Sequence, residues 1–141
     1  MKLFEIVCIL FLLILCSITD IKERKIYAEV CIIFMLIGVI LEFIIRQRNL
    51  LDICLGILPG IFIYMVFIVT REGIGKGDAM VFITTGVFMG IINSIFLLIF
   101  SLILVGITAF IIIILKKGNK KTKIPFVPFV TISFIIFACT I

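Results

Sequence analysis

Six apolar runs separated by short polar stretches organise this chain: Leu3–Thr19, Ala28–Ile45, Leu51–Thr70, Ala79–Ile92, Ile95–Leu115 and Ile124–Ile141. A helix needs about 20 residues to cross a bilayer, with a working range of about 17–25. All but the fourth run meet that length. The fourth is joined to the fifth through Asn93-Ser94, which predicts a tight turn between two crossings; a tilted or half-inserted fourth helix is the alternative. A membrane barrel would need strands that alternate polar and apolar residues, and no such alternation is present. The pattern predicts an all-α polytopic membrane protein of six transmembrane helices. The first run reads as the first of these rather than as a signal peptide. Glu5 interrupts it, and no small-x-small cleavage site precedes Asp20.

Composition agrees with the pattern. Of 141 residues, 65% are hydrophobic and only 15% are charged. A soluble domain of this size has too much surface for its volume to hide so many Ile, Leu and Phe side chains. The chain reads as a single transmembrane domain over 1–141, with no soluble domain and no long linker.

Charge adds an orientation. Lys22, Arg24 and Lys25 follow the first run, and Arg71 and Lys76 follow the third. Lys116, Lys117, Lys120, Lys121 and Lys123 follow the fifth. These are ten of the 13 basic residues, leaving Lys2, Arg46 and Arg48. If every run crosses, the ten share one side, and the positive-inside rule makes that side cytoplasmic and both termini extracytoplasmic. The lysines of 116–123 fit anionic lipid headgroups. They lack the interleaved aromatics of a nucleic-acid surface, so membrane lipid, and no nucleic acid, is the expected contact.

Several chemistries drop out on residue type. Histidine is absent, which removes serine–histidine and cysteine–histidine catalysis. Cys8, Cys16, Cys31, Cys54 and Cys139 form no CxxC pair. They read as small apolar packers, and neither a metal nor a cofactor is expected. Gly38, Gly56, Gly60, Gly86, Gly90 and Gly106 are read as close helix contacts. Gly56/Gly60 and Gly86/Gly90 have small-xxx-small spacing.

Two acids stand out among eight. Asp20 ends the first run, where a carboxylate meets the negative end of a helix dipole. Asp78 opens the fourth, after Gly73-Ile74-Gly75-Lys76-Gly77. On the residues alone, Asp20 is either a headgroup-facing terminal residue or half of a site. Asp78 is either an N-cap or the other half. The glycine run lacks the GK[ST] ending of a phosphate loop and follows no strand. Two carboxylates at one membrane face can divide acid–base work between them, one ionised and taking a proton from water, the other protonated and donating to a carbonyl oxygen. A transporter or an assembly scaffold remains open at this point.

The chain resembles the type IV prepilin peptidase family, GxGD-type membrane aspartyl proteases, in the short form that carries only the catalytic core. Three ordered stretches carry the resemblance: Asp20-Ile21-Lys22-Glu23-Arg24-Lys25-Ile26, Gly73-Ile74-Gly75-Lys76-Gly77-Asp78, and Ile124-Pro125-Phe126-Val127-Pro128-Phe129. It departs from the family pattern at Tyr27, where proline is usual, at Met80, where lysine is usual, and at Val127, where glycine is usual.

The resemblance implies catalytic Asp20 and Asp78, with Gly73, Gly75, Gly77, Lys76, Pro125 and Pro128 as substrate-loop or supporting residues. The prolines also suit a first helical turn. It implies an aspartyl endopeptidase that removes the short basic leader of prepilins or pseudopilins after a glycine, at the cytoplasmic face of a bacterial inner membrane. The long members' N-terminal domain with paired CxxC motifs is not expected here, nor is methyltransferase activity. The other readings are a catalytically altered homologue, a non-enzymatic assembly subunit of a pilus or secretion system, and a small transporter.

Overall fold

A computed structural model describes residues 3–23, 26–44, 49–70, 75–115 and 125–140. Among them the chain forms five helices: α1 (Leu3–Glu23), α2 (Ala28–Ile44), α3 (Leu50–Thr70), α4 (Lys76–Ile114) and α5 (Val127–Thr140). Three of these, α1, α3 and α4, are long and apolar enough to cross a membrane. The protein is therefore all-α and multi-pass, but six transmembrane helices are not found. With that count, the placement of both termini on the extracytoplasmic side also falls, because it treated every run as a crossing.

The miscount has two physical sources. The turn expected at Asn93-Ser94 does not form. The Asn93 side-chain amide donates to the Met89 carbonyl at 3.1 Å, one turn back, and Ser94 is buried within the helix, its hydroxyl without a hydrogen-bond partner among the described residues. The fourth and fifth runs thus belong to one 39-residue element. Its backbone leaves helical geometry three residues earlier, at Gly90, with φ 76° and ψ 176°. That region is open essentially to glycine alone.

The second source is the last run. Its helix begins at Val127, not Ile124, and has 14 residues, short of the span length. Phe126 supplies the carbonyl that Phe129 and Val130 donate to, at 3.1 and 3.3 Å. Pro128 falls in the first turn, where a missing N–H costs no intrahelical bond.

The first half of α4 is the centre of the bundle. α3 packs most extensively against it, with α2 on another side and α5 joining α4 to α1. Small residues make these approaches possible. A Cβ on Gly86 would collide with the Gly56 carbonyl, and one on Gly38 would come to 2.8 Å from the Phe88 ring. Gly106 does not fit this role, since a Cβ there meets nothing within 4 Å. The core joins Ile9, Leu12, Leu13 and Cys16 of α1 to Phe82, Phe88 and Leu97 of α4 and Val130 and Phe134 of α5. Cys16 and Cys31 pack in this core, whereas Cys54 and Cys139 are exposed.

Candidate active site

Asp20 lies in the last turn of α1 and Asp78 in the first turn of α4, each 8% exposed. The start of α4 packs on Ile26, just after α1, and Phe82 meets Phe126 beside the start of α5, so both acids lie toward one end of the bundle.

Each carboxylate is tied to backbone at the start of a helix. Asp20 Oδ2 accepts the Val127 N–H at 3.2 Å. Val127 opens α5, so a donor with no partner inside that helix is satisfied across the bundle. This contact also relieves the awkward placement of Asp20 at the negative end of α1, because the positive end of α5 now faces it. Asp78 Oδ2 accepts the Gly75 N–H at 3.1 Å, while the Asp78 N–H donates back to the Gly75 carbonyl at 3.1 Å. This reciprocal pair resembles half of a capping box.

The supporting residues divide. Gly77 packs so closely on Ile26 that a Cβ would collide with it. The glycine thus lets the start of α4 come against the connection between α1 and α2. Gly75 is exposed, and a Cβ there would lie 3.3 Å from Asp78 Oδ2. Lys76 is also exposed, with Nζ 5.6 Å from the Phe67 ring centroid, a cation–π placement. Pro125 and Pro128 are half-buried at the start of α5 beside Phe126, whose ring lies 6.0 Å from that of Phe82. Gly73 lies outside the described residues, as do Arg24, Lys25, Arg71 and the 116–123 lysines.

Several participants escaped sequence reasoning. Val127 was singled out only as a departure from glycine, yet its N–H binds Asp20. One turn deeper, the Ser17 and Thr131 hydroxyls are 2.7 Å apart and pin α5 to α1. The Thr131 hydroxyl lies 3.0 Å from the Val127 carbonyl and 3.3 Å from that of Leu13, which leaves Ser17 to donate to it. Helical spacing was the available signal, because Ser17 is three residues before Asp20 and Thr131 four after Val127. Tyr27 donates its hydroxyl to Glu23 Oε2 at 2.6 Å, and that carboxylate pushes the tyrosine's proton loss upward. Glu5 and Glu42 are both buried and engaged with neighbours. Among the described residues, no group of three His, Cys, Asp or Glu side chains is placed to hold a metal ion.

A multi-pass helical membrane protein with two buried carboxylates toward one end of its bundle is the class these features define. The profile of the type IV leader peptidase family matches residues 6–113, more than half of the chain, and the protein belongs to that family. The match takes in Asp20, Asp78 and the glycine run, and stops short of Pro125 and Pro128. No curated protein and no solved structure matches the chain.

Proposed function

We propose that the protein is an aspartyl endopeptidase that removes the short basic leader of type IV prepilin-like proteins after a glycine. The observation that supports the proposal is the burial of two acids 58 residues apart in sequence, Asp20 in the last turn of α1 and Asp78 in the first turn of α4, both within the stretch that the family profile matches. Family membership gives the two acids their chemistry. One carboxylate takes a proton from water as it attacks the scissile carbonyl; the other, protonated, donates to the carbonyl oxygen. Burial beneath the rim limits competing water and strengthens both interactions.

The active end faces the cytoplasm in this proposal, and the host membrane is a bacterial inner membrane. Close to Asp20 and Asp78 in sequence stand Lys22, Arg24, Lys25, Arg71 and Lys76, and juxtamembrane basic residues accumulate on the cytoplasmic side. A prepilin with a basic leader and a hydrophobic helix would lie in the bilayer with its leader junction level with the acids.

Co-expression with candidate prepilins, followed by gel shift and N-terminal sequencing of the product, tests the proposal. Leader loss is expected with the native chain and not with Asp20→Ala or Asp78→Ala. Cleavage that survives both substitutions overturns the two-carboxylate mechanism. One observation favours a second reading, a non-enzymatic assembly subunit: both carboxylates serve helix starts, at Val127 and Gly75. That reading predicts no leader loss under any condition, with assembly of the pilus system impaired by both alanine variants.

A further inference from the structure

We infer that Ser17 and Thr131 are positioning residues for Asp20: their hydroxyl pair holds the start of α5 where the Val127 N–H sets the direction of the Asp20 carboxyl. The inference rests on the peptidase reading above, because it gives the pair a part in that reaction. Two contacts join α1 to α5. Nearer the rim, the Val127 N–H donates to Asp20 Oδ2 at 3.2 Å. One turn deeper, the Ser17 and Thr131 hydroxyls are 2.7 Å apart. Ser17 precedes Asp20 by three residues and Thr131 follows Val127 by four, about one helical turn in each case. The two contacts are therefore successive rungs between antiparallel helices.

The rim rung depends on the deeper one. The last side-chain torsion of an aspartate is soft, with broad wells. The α1 backbone alone thus does not fix the direction of the carboxyl, and its bonding partners must. The Val127 N–H is such a partner, but it belongs to the first residue of α5, and helix ends fray. Thr131 anchors that turn. Its hydroxyl lies 3.0 Å from the Val127 carbonyl and 3.3 Å from the Leu13 carbonyl of α1. One side chain therefore meets both the residue that binds Asp20 and the helix that carries Asp20.

Other hydroxyls in the bundle behave differently. Thr19, Thr85, Ser101 and Thr108 donate to carbonyls one turn back in their own helices. That is the usual local outlet for a hydroxyl inside a helix. Ser17 instead meets a side chain of another helix. Ser133, two residues beyond Thr131 and also buried, has no hydrogen-bond partner among the described residues. A buried hydroxyl on α5 does not by itself tie that helix to α1. Hydroxyl bonds between membrane helices contribute little stability on average, so the weight of this pair falls on geometry. Catalysis magnifies geometric error, and a shift of about 1 Å at a reacting group can cost about 10²-fold in rate.

The test uses the full chain in lipid nanodiscs and a prepilin that the native chain cleaves. Thr131→Val keeps the shape of the side chain and removes the hydroxyl; Ser17→Ala removes its partner. Either should lower kcat by about 10–100-fold and leave KM within about twofold. The double variant should fall no further than the worse single one, because both substitutions remove the same rung. Thr131→Ser should restore kcat to within about threefold of native. Ser133→Ala, which removes a buried hydroxyl from the same helix, should match the native chain. Losses that follow the melting temperature, that appear in KM alone, or that Thr131→Ser does not restore overturn the inference.

A second readout needs no substrate. In isotope-labelled protein, the Val127 amide resonance reports the bond to Asp20, and Asp20→Ala marks its position once that bond is gone. Thr131→Val and Ser17→Ala should move the resonance toward the marked position, whereas Thr131→Ser and Ser133→Ala should leave it in place. A resonance unmoved by both Thr131→Val and Ser17→Ala overturns the inference even where activity falls. If the native chain cleaves no prepilin, the peptidase reading fails, and the resonance alone then decides whether the pair orients Asp20.

Discussion

Before Gly90, α4 buries Asp78, Ala79, Val81, Phe82 and every residue from Thr84 to Met89; beyond it, as far as Ile114, only Ser94, Leu97 and Ser101 are buried. Both halves are apolar, so hydropathy does not separate them. Close backbone approach does. The first half meets α3 at Gly56–Gly86 and at Gly60–Ile83, and it meets α2 where the Thr84 hydroxyl reaches the Cys31 carbonyl at 3.2 Å. The second half presents Phe96, Ile99, Phe100, Ile103, Ile107 and Phe110 outward. Lipid tails are as apolar as leucine, so a bilayer gives such side chains no reason to turn inward, and small residues decide which stretch of helix packs. Asp78 sits at the head of the packed half, where the surroundings are held.

The contrast can be broken by substitution. The largest effect is expected at the carboxylates. Asp78→Ala or Asp20→Ala should lower the rate of leader cleavage by about 10²–10⁴-fold, the range for removing a positioned acid or base, at matched protein levels. Next come matched glycine replacements. Gly86→Leu sets a side chain against the Gly56 backbone and should destabilise the bundle by about 3 kcal/mol or more. Gly106→Leu, in open space, should stay within about 0.5 kcal/mol. Reversible unfolding in mixed micelles compares the two, and equal losses would erase the distinction between the halves.

Gly90→Ala should cost about 1–3 kcal/mol through backbone strain alone. It should also change the angle between the halves, which spin labels on either side would register as an altered distance. The smallest effect is expected at Pro128. Pro128→Ala removes no hydrogen bond and should change stability by less than about 0.5 kcal/mol. A larger loss would mean that the proline ring shapes the start of α5.

What could be read from the chain and what could not follow the same physics. The boundaries of α1, α2 and α3 follow their apolar runs to within a few residues, because hydropathy and helix length are local properties. The burial of Asp20 and Asp78 at helix ends follows from two acids placed at the ends of apolar runs. The break at Gly90 does not follow in this way. A glycine inside an apolar run looks the same whether it packs, as Gly86 does, faces open space, as Gly106 does, or reverses the sign of φ. Asn93 and Ser94 misled for the converse reason. Polarity marks a turn only where water must satisfy it, and Asn93 finds a carbonyl within its own helix. The Val127 contact is a backbone group, which no side-chain motif announces.

That contact has a consequence for experiments on Asp20. The oxygen proposed to handle a proton also serves as a tether for the last helix. Removing it with alanine takes away a chemical group and a mooring at once, so the resulting loss mixes two causes. Asparagine keeps an oxygen able to hold Val127 while losing the carboxylate's acid–base capacity. The gap between the two variants therefore measures how much of the work of Asp20 is mechanical. A wide gap would make α5 a movable part, released whenever that oxygen is drawn into other bonding.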